Sequence, residues 1–146
     1  MEVEMSYPKC NFKNVNDLTK CMEEWKQRLF LNDWIIRVEL KDNVVDSQNN
    51  SCYGLNCMNF ITREAIIQIR KYDKEKDKDT CRKFCMEQTL VHELLHCIYN
   101  WLQKDYNNHE AAYYDNKDHQ QLDKLADSLI MAKYNIPFEW FINKKD

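Results

Sequence analysis

Glycine and proline are nearly missing from this chain: one Gly and two Pro in 146 residues, which argues for a helix-rich protein rather than a loop-dominated one. No apolar run approaches the roughly eighteen residues that a membrane span requires, so no membrane partner is expected. Nor is there an excess of base. Lys and Arg number 21 against 24 Asp and Glu, and the net charge of −3 predicts neither general phosphate binding nor attraction to an acidic membrane. Nucleic acid is therefore not an expected partner. The first residues, Met1-Glu2-Val3-Glu4, are acidic where an export signal carries base, and no apolar stretch follows; a cytoplasmic, non-secreted protein is expected. Internal repeats and linkers are lacking too, which predicts a single domain over residues 1–146 with an aromatic tail at 135–146.

Seven cysteines form an odd set, and without an export signal they read as reduced thiols rather than a disulfide framework. Cys52 and Cys57 lack C-x-x-C spacing. Cys81 and Cys85 stand one helical turn apart, a weak metal-binding signal.

Hydrophobic spacing supplies the elements. Leu18, Cys21, Met22, Trp25, Leu29 and Phe30 recur at three- and four-residue intervals, predicting an amphipathic helix over 17–31 capped at Asn16 or Asp17. Trp34, Ile36, Val38 and Leu40 alternate with Arg37 and Glu39, the pattern of a half-buried strand. Residues 52–60 read as a strand bulged near Gly54 and 64–70 as another, with the polar break at Thr62-Arg63 predicting an antiparallel hairpin. The charge-alternating run 71–79 reads as a solvated loop. Long helices are expected over about 80–103 and 117–134, joined by a polar, Tyr- and Asn-rich connection.

Inside the first long helix stands His92-Glu93-Leu94-Leu95-His96, an H-E-x-x-H sequence. At about 100° per residue, His96 falls about 40° from His92 and Glu93 about 100° from it, while Val91, Leu94, Leu95 and Ile98 fall on the opposite face. Two imidazoles one turn apart can reach one Zn²⁺, and a carboxylate just off that axis can reach a metal-activated water without binding the metal itself. Glu93 then takes the role of general base. A third protein ligand is needed, and on the second helix His119 borders the apolar stripe of Leu122, Leu125, Ala126 and Leu129, with Asp123 one turn on.

These residues resemble the gluzincin branch of the zinc metallopeptidases, especially its small, single-domain, phage- and prophage-associated members. The family pattern is H-E-x-x-H, a loop, and E-x-x-x-D on the next helix. Here 22 residues separate His96 from His119-Gln120-Gln121-Leu122-Asp123, so His119 stands where the family has its ligand Glu. The resemblance implies a three-His site of His92, His96 and His119 holding one Zn²⁺ per chain, with Asp123 accepting a hydrogen bond from the far nitrogen of His92. Three alternatives stay open: Asp123 as third ligand with Asp127 taking the bracing role toward the first His, His109 as third ligand in the manner of SprT-like proteases acting at DNA, and His119 as a mere helix cap.

Tyr106, Tyr113 and Tyr114 in the interhelical connection, with His109 beside them, are the candidate oxyanion donors. The carboxyl end, Ile136-Pro137-Phe138-Glu139-Trp140-Phe141, is expected to fold back on the domain, the rival being a partner-docking tail. The resemblance implies an α+β, zincin-like domain. Its parts are an N-terminal helix, a small, mostly antiparallel three-stranded sheet, the active-site helix and a second helix carrying the third ligand. It also implies a zinc metallopeptidase hydrolysing a protein or peptide substrate, in the host cytoplasm for a phage-encoded chain. Its edge strand, 52–60 or the hairpin neighbour, pairs with extended substrate. The alternative of another class is a non-catalytic module in which zinc pins two helices together in a closed four-ligand sphere.

Overall fold

The computed structural model describes residues 6–99 and 108–143, the side chains of 108–118 excepted. The chain begins with helix α1 (Val15–Arg28), which starts ahead of the expected position because Asn14 serves as its cap: the Asn14 side chain accepts from the Asp17 N–H at 2.9 Å. Leu18, Cys21, Met22 and Trp25 are the buried face. The helix stops at Phe30, whose φ of 58° is left-handed backbone that no helix can continue through.

Five strands follow: β1 (Ile35–Lys41), β2 (Val44–Val45), β3 (Ser51–Cys52), β4 (Gly54–Asn59) and β5 (Glu64–Arg70). β2 and β3 form a small antiparallel ribbon, while the main sheet has the order β1-β5-β4. β4 and β5 are the antiparallel hairpin that the Thr62-Arg63 break implies. β1, however, pairs with β5 in parallel, Ile35 opposite Glu64 through Lys41 opposite Arg70, so the three-stranded sheet is mixed. The reason is the connection: β2, β3 and β4 carry the chain across and turn it back, and β5 then lies between β4 and β1. Ile36 and Val38 of β1 and Ala65, Ile67 and Ile69 of β5 are buried on one face of this sheet.

The acidic-basic run after β5 is not wholly solvated. It contains a short helix α2 (Lys74–Asp77), and Asp77 is buried in an ion pair with Arg70 at 2.6 Å. The long helix expected from residue 80 begins later, as α3 (Met86–Tyr99). Residues 80–83 instead spend backbone groups on the carboxyl end. Lys83 N–H donates to the Phe141 carbonyl at 2.6 Å, and Asn143 donates to the carbonyls of Cys81 and Thr80 at 2.9 and 2.7 Å. The aromatic tail thus folds back: a 3₁₀ turn over Phe138–Phe141 seats Phe141 in the core with Ile136. The last helix, α4 (Asn108–Tyr134), starts well before residue 117, through a stretch with no Gly or Pro to stop it.

α3 is the axis of the molecule, packed against α1, β4, β5 and α4. Met86, Leu90, Val91, Leu94 and Leu95 are each essentially fully buried, and at roughly 1.5–3 kcal/mol for each large side chain this is the main adhesive of the fold. A fully buried carboxylate, Glu87, shares that core. Glu87 accepts from Lys9 N–H (2.8 Å), Trp25 Nε1 (2.8 Å), Tyr134 Oη (2.6 Å) and Lys133 Nζ (3.0 Å), tying the amino-terminal strap, α1 and α4 to one point on α3. A buried carboxylate with this many donors stays ordered rather than unpaired. No described helix is long and apolar enough to cross a membrane.

Candidate metal centre

His92 and His96 project from successive turns of α3, and His119 comes from α4, which packs beside it. The three ring centroids stand 5.0, 5.3 and 4.9 Å apart, a nearly equilateral triangle. One nitrogen from each ring falls within 4.8 Å of the others, close enough for the three to hold a metal ion. His92 Nε2 lies 3.1 Å from His119 Nδ1. A tetrahedral ion with bonds of about 2.0–2.1 Å separates its ligand atoms by roughly 3.3–3.4 Å, so the pair is nearly at ligand spacing already.

The other nitrogen of His92, Nδ1, donates to Asp123 Oδ1 at 2.7 Å. That bond fixes the tautomer, leaving the Nε2 lone pair toward the centre of the triangle. Burial disfavours charge on His92, but the Asp123 hydrogen bond and the charges of Glu93, Asp123 and Asp127 outweigh it and raise its pKa. Reciprocally, the Asp123 carboxyl falls below its ordinary value: burial opposes this, and the bond and charge of His92, with Gln88 and Arg82, prevail. His96 is pushed down to about 3 by burial and by the nearby charge of His92 and His119, so its lone pair stays available.

Glu93 sits next to His92 in sequence and is 6% exposed, against 8% for both His92 and His96. All three are therefore inside the protein rather than on a solvated helix face. Burial raises the Glu93 carboxyl to about 7, opposed by the charge of His92 and assisted by that of Asp123. Gly54 at the start of β4 allows this packing. A Cβ there would stand 2.7 Å from Thr89 Cγ2 and 3.1 Å from Glu93 Cγ, so the only glycine of the chain lies where the strand crosses the base of the site.

A cleft of about 510 Å³ opens from Glu93, His96 and His119 along Gly54, Leu55, Asn56 and Met58 of β4, with Asp46, Ser47 and Gln48 of the β2–β3 turn as its far wall. A smaller one of about 200 Å³ leaves the other side, past His92, Gln88 and Asp123. Of the two strands considered for a role beside the cleft, β4 is the one that lines it, and it is also the terminal strand of the sheet. Asn56 pins that strand to α3, its Nδ2 donating to the Glu93 carbonyl at 2.8 Å and to Cys97 Sγ at 3.4 Å.

His119 lies within α4 and is not a cap. Asp123 faces His92 Nδ1 rather than joining the three-nitrogen cluster. Asp127 is buried and paired with Arg82, and it is Asp123, not Asp127, that bonds His92 Nδ1. Tyr106 lies outside the described residues, as do the side chains of His109, Tyr113 and Tyr114. Cys81 is exposed whereas Cys85 is buried with its thiol toward the Lys9 carbonyl, so the two do not converge. Sequence reasoning missed Asn56 and Gln88, which carry no motif; Gly54 was visible only as a strand irregularity. No family model, curated protein or solved structure matches the chain.

Proposed function

We propose that this chain is a zinc-dependent metallopeptidase of zincin type, with His92, His96 and His119 as ligands and Glu93 as general base. The observation that carries the reading is the convergence of three imidazole nitrogens within 4.8 Å, beside a buried carboxylate, at the floor of an open cleft. Three imidazole nitrogen donors with one position left over are the donor set of a catalytic rather than a closed structural zinc site. When bound, zinc supplies Lewis acidity, polarising a carbonyl and making water acidic enough to lose a proton near neutral pH.

The chain's own groups do the rest. Asp123 holds His92 in the ligating tautomer, and His96 stays uncharged. Glu93, with a carboxyl near neutrality, takes a proton from the attacking water and returns it to the leaving amine. An extended peptide lies along β4, whose main-chain groups on the cleft side add it to the sheet as a further strand.

The test is elemental analysis together with cleavage of an unfolded protein substrate. One zinc per wild-type chain is expected, lost on His92→Ala, His96→Ala or His119→Ala. Glu93→Gln should keep the zinc and lose hydrolysis. Full cleavage by that variant would overturn the reading, and zinc that binds tightly with no cleavage by wild type would favour the zinc-pinned module instead.

A further inference from the structure

We propose that Gln88 and Arg82 are positioning residues for the metal centre, acting through Asp123 on His92. The inference rests on the zinc reading of the three-His cluster and extends it to groups that touch no ligand atom.

Gln88 stands one turn before His92 on α3, and its Nε2 donates both to Asp123 Oδ1 (3.4 Å) and to Asp127 Oδ1 (3.3 Å). Asp123 and Asp127 are themselves one turn apart on α4, so two like charges converge on a single amide, an arrangement that repels unless a cation answers it. Arg82 is that cation, paired through Nη2 with the buried Asp127 carboxylate. Arg82 in turn is held from outside both helices. Its guanidinium lies 5.0 Å from the Phe141 ring centroid and 6.0 Å from that of Phe138, and its backbone bridges to Ile142.

The Asp123 side chain needs such support because it is 55% exposed. A carboxylate that open samples several rotamers when a single hydrogen bond restrains it, and each alternative turns the His92 ring or releases its tautomer. Gln88 supplies the second restraint, and Arg82 keeps Asp127 from competing for that amide alone or pushing Asp123 away. The chain Arg82, Asp127, Gln88, Asp123, His92 thus connects the folded-back carboxyl end to the metal ligand, which the sequence spacing of 82, 88, 92, 123 and 127 does not advertise.

The experiment compares full-length wild type with Gln88→Met, Arg82→Gln, Arg82→Lys and Asp123→Asn. Two quantities are read: the zinc dissociation constant, by competition with a chelating dye, and the His92 Nδ1–H resonance in ¹⁵N–¹H spectra of metal-free protein. Gln88→Met and Arg82→Gln should each raise the dissociation constant about tenfold, the lower end for groups behind a ligand. Arg82→Lys should recover most of the loss. In the metal-free protein the His92 Nδ1–H signal should broaden or move in the two weakened variants, with melting temperature near wild type for Gln88→Met. Wild-type zinc affinity and an unchanged His92 signal in both variants, with affinity lost in Asp123→Asn, would overturn the proposal. Failure of wild type to bind zinc would instead overturn the metal reading, and the spectra would still decide whether Gln88 and Arg82 order the Asp123–His92 pair.

Discussion

Gly54 and Glu93 meet where β4 crosses α3, so closely that a methyl group on Gly54 would press on Glu93 Cγ at 3.1 Å and on Thr89 Cγ2 at 2.7 Å. The strand that walls the cleft and the carboxylate at its floor are thereby held in contact by the absence of a side chain.

Gly54→Ala should therefore cost stability and function together. Overpacking at such a contact costs about 1–3 kcal/mol, and either β4 or the Glu93 rotamer must give. The expected result is a melting temperature lower by several degrees and weakened hydrolysis, with zinc content unchanged, because none of the three imidazoles touches Gly54 in that contact. Calorimetry alongside elemental analysis checks this.

Metal removal should be visible without any substrate. A ligand that binds only the folded chain stabilises it by about 2.7 kcal/mol at a hundredfold excess over its dissociation constant. Added zinc should raise the melting temperature of chelator-treated wild type and leave His119→Ala nearly unmoved. Because ligands must shed protons to bind, the zinc-induced rise should shrink as the pH is lowered from 8 toward 5. An identical rise in His119→Ala would remove that residue from the site.

Phe141 is fully buried at the end of a segment whose backbone is bonded to residues 80–83. Phe141→Ala should destabilise the protein by about 3–5 kcal/mol, the usual loss for truncating a core aromatic. Urea unfolding measures it directly; a change under about 1 kcal/mol would mean that the carboxyl end does not share the core.

Thiol reactivity should sort the cysteines by burial and charge. Cys57 and Cys81 are exposed and should be alkylated first. Burial pushes Cys21 up to about 12 and Cys97 up to about 11, and at pH 8 both remain almost wholly in the unreactive thiol form. Cys10 should fall between: its hydrogen bond with Cys85 lowers its pKa, burial works against this, and Lys83 adds to the lowering. Mass spectrometry after timed alkylation gives the order, and early labelling of Cys21 or Cys97 in folded protein would contradict it.

Local patterns in the chain were legible where they depend on neighbours a few residues away. The apolar spacing of Leu18, Cys21, Met22 and Trp25 marks α1, and the alternation around Ile36 and Val38 marks β1. The hairpin at Thr62-Arg63 and the common face of His92 and His96 are likewise short-range facts. What escaped was set by distant partners. The parallel pairing of Ile35 with Glu64 depends on the whole path through β2, β3 and β4, and the start of α3 at Met86 depends on a carboxyl end some fifty residues later.

The candidate site divides along the same line. By itself the sequence determined that two imidazoles and a carboxylate share one turn of helix, because a 3.6-residue repeat permits nothing else. It also determined that the chain has one glycine to spend. Only the tertiary structure decided that His119 comes within ligand distance of them, that Asp123 takes the Nδ1 of His92, and that the glycine lies over Glu93. Those outcomes turn on how α4 and β4 seat against α3, which is fixed by packing of side chains far apart in sequence and by the exclusion of water between them.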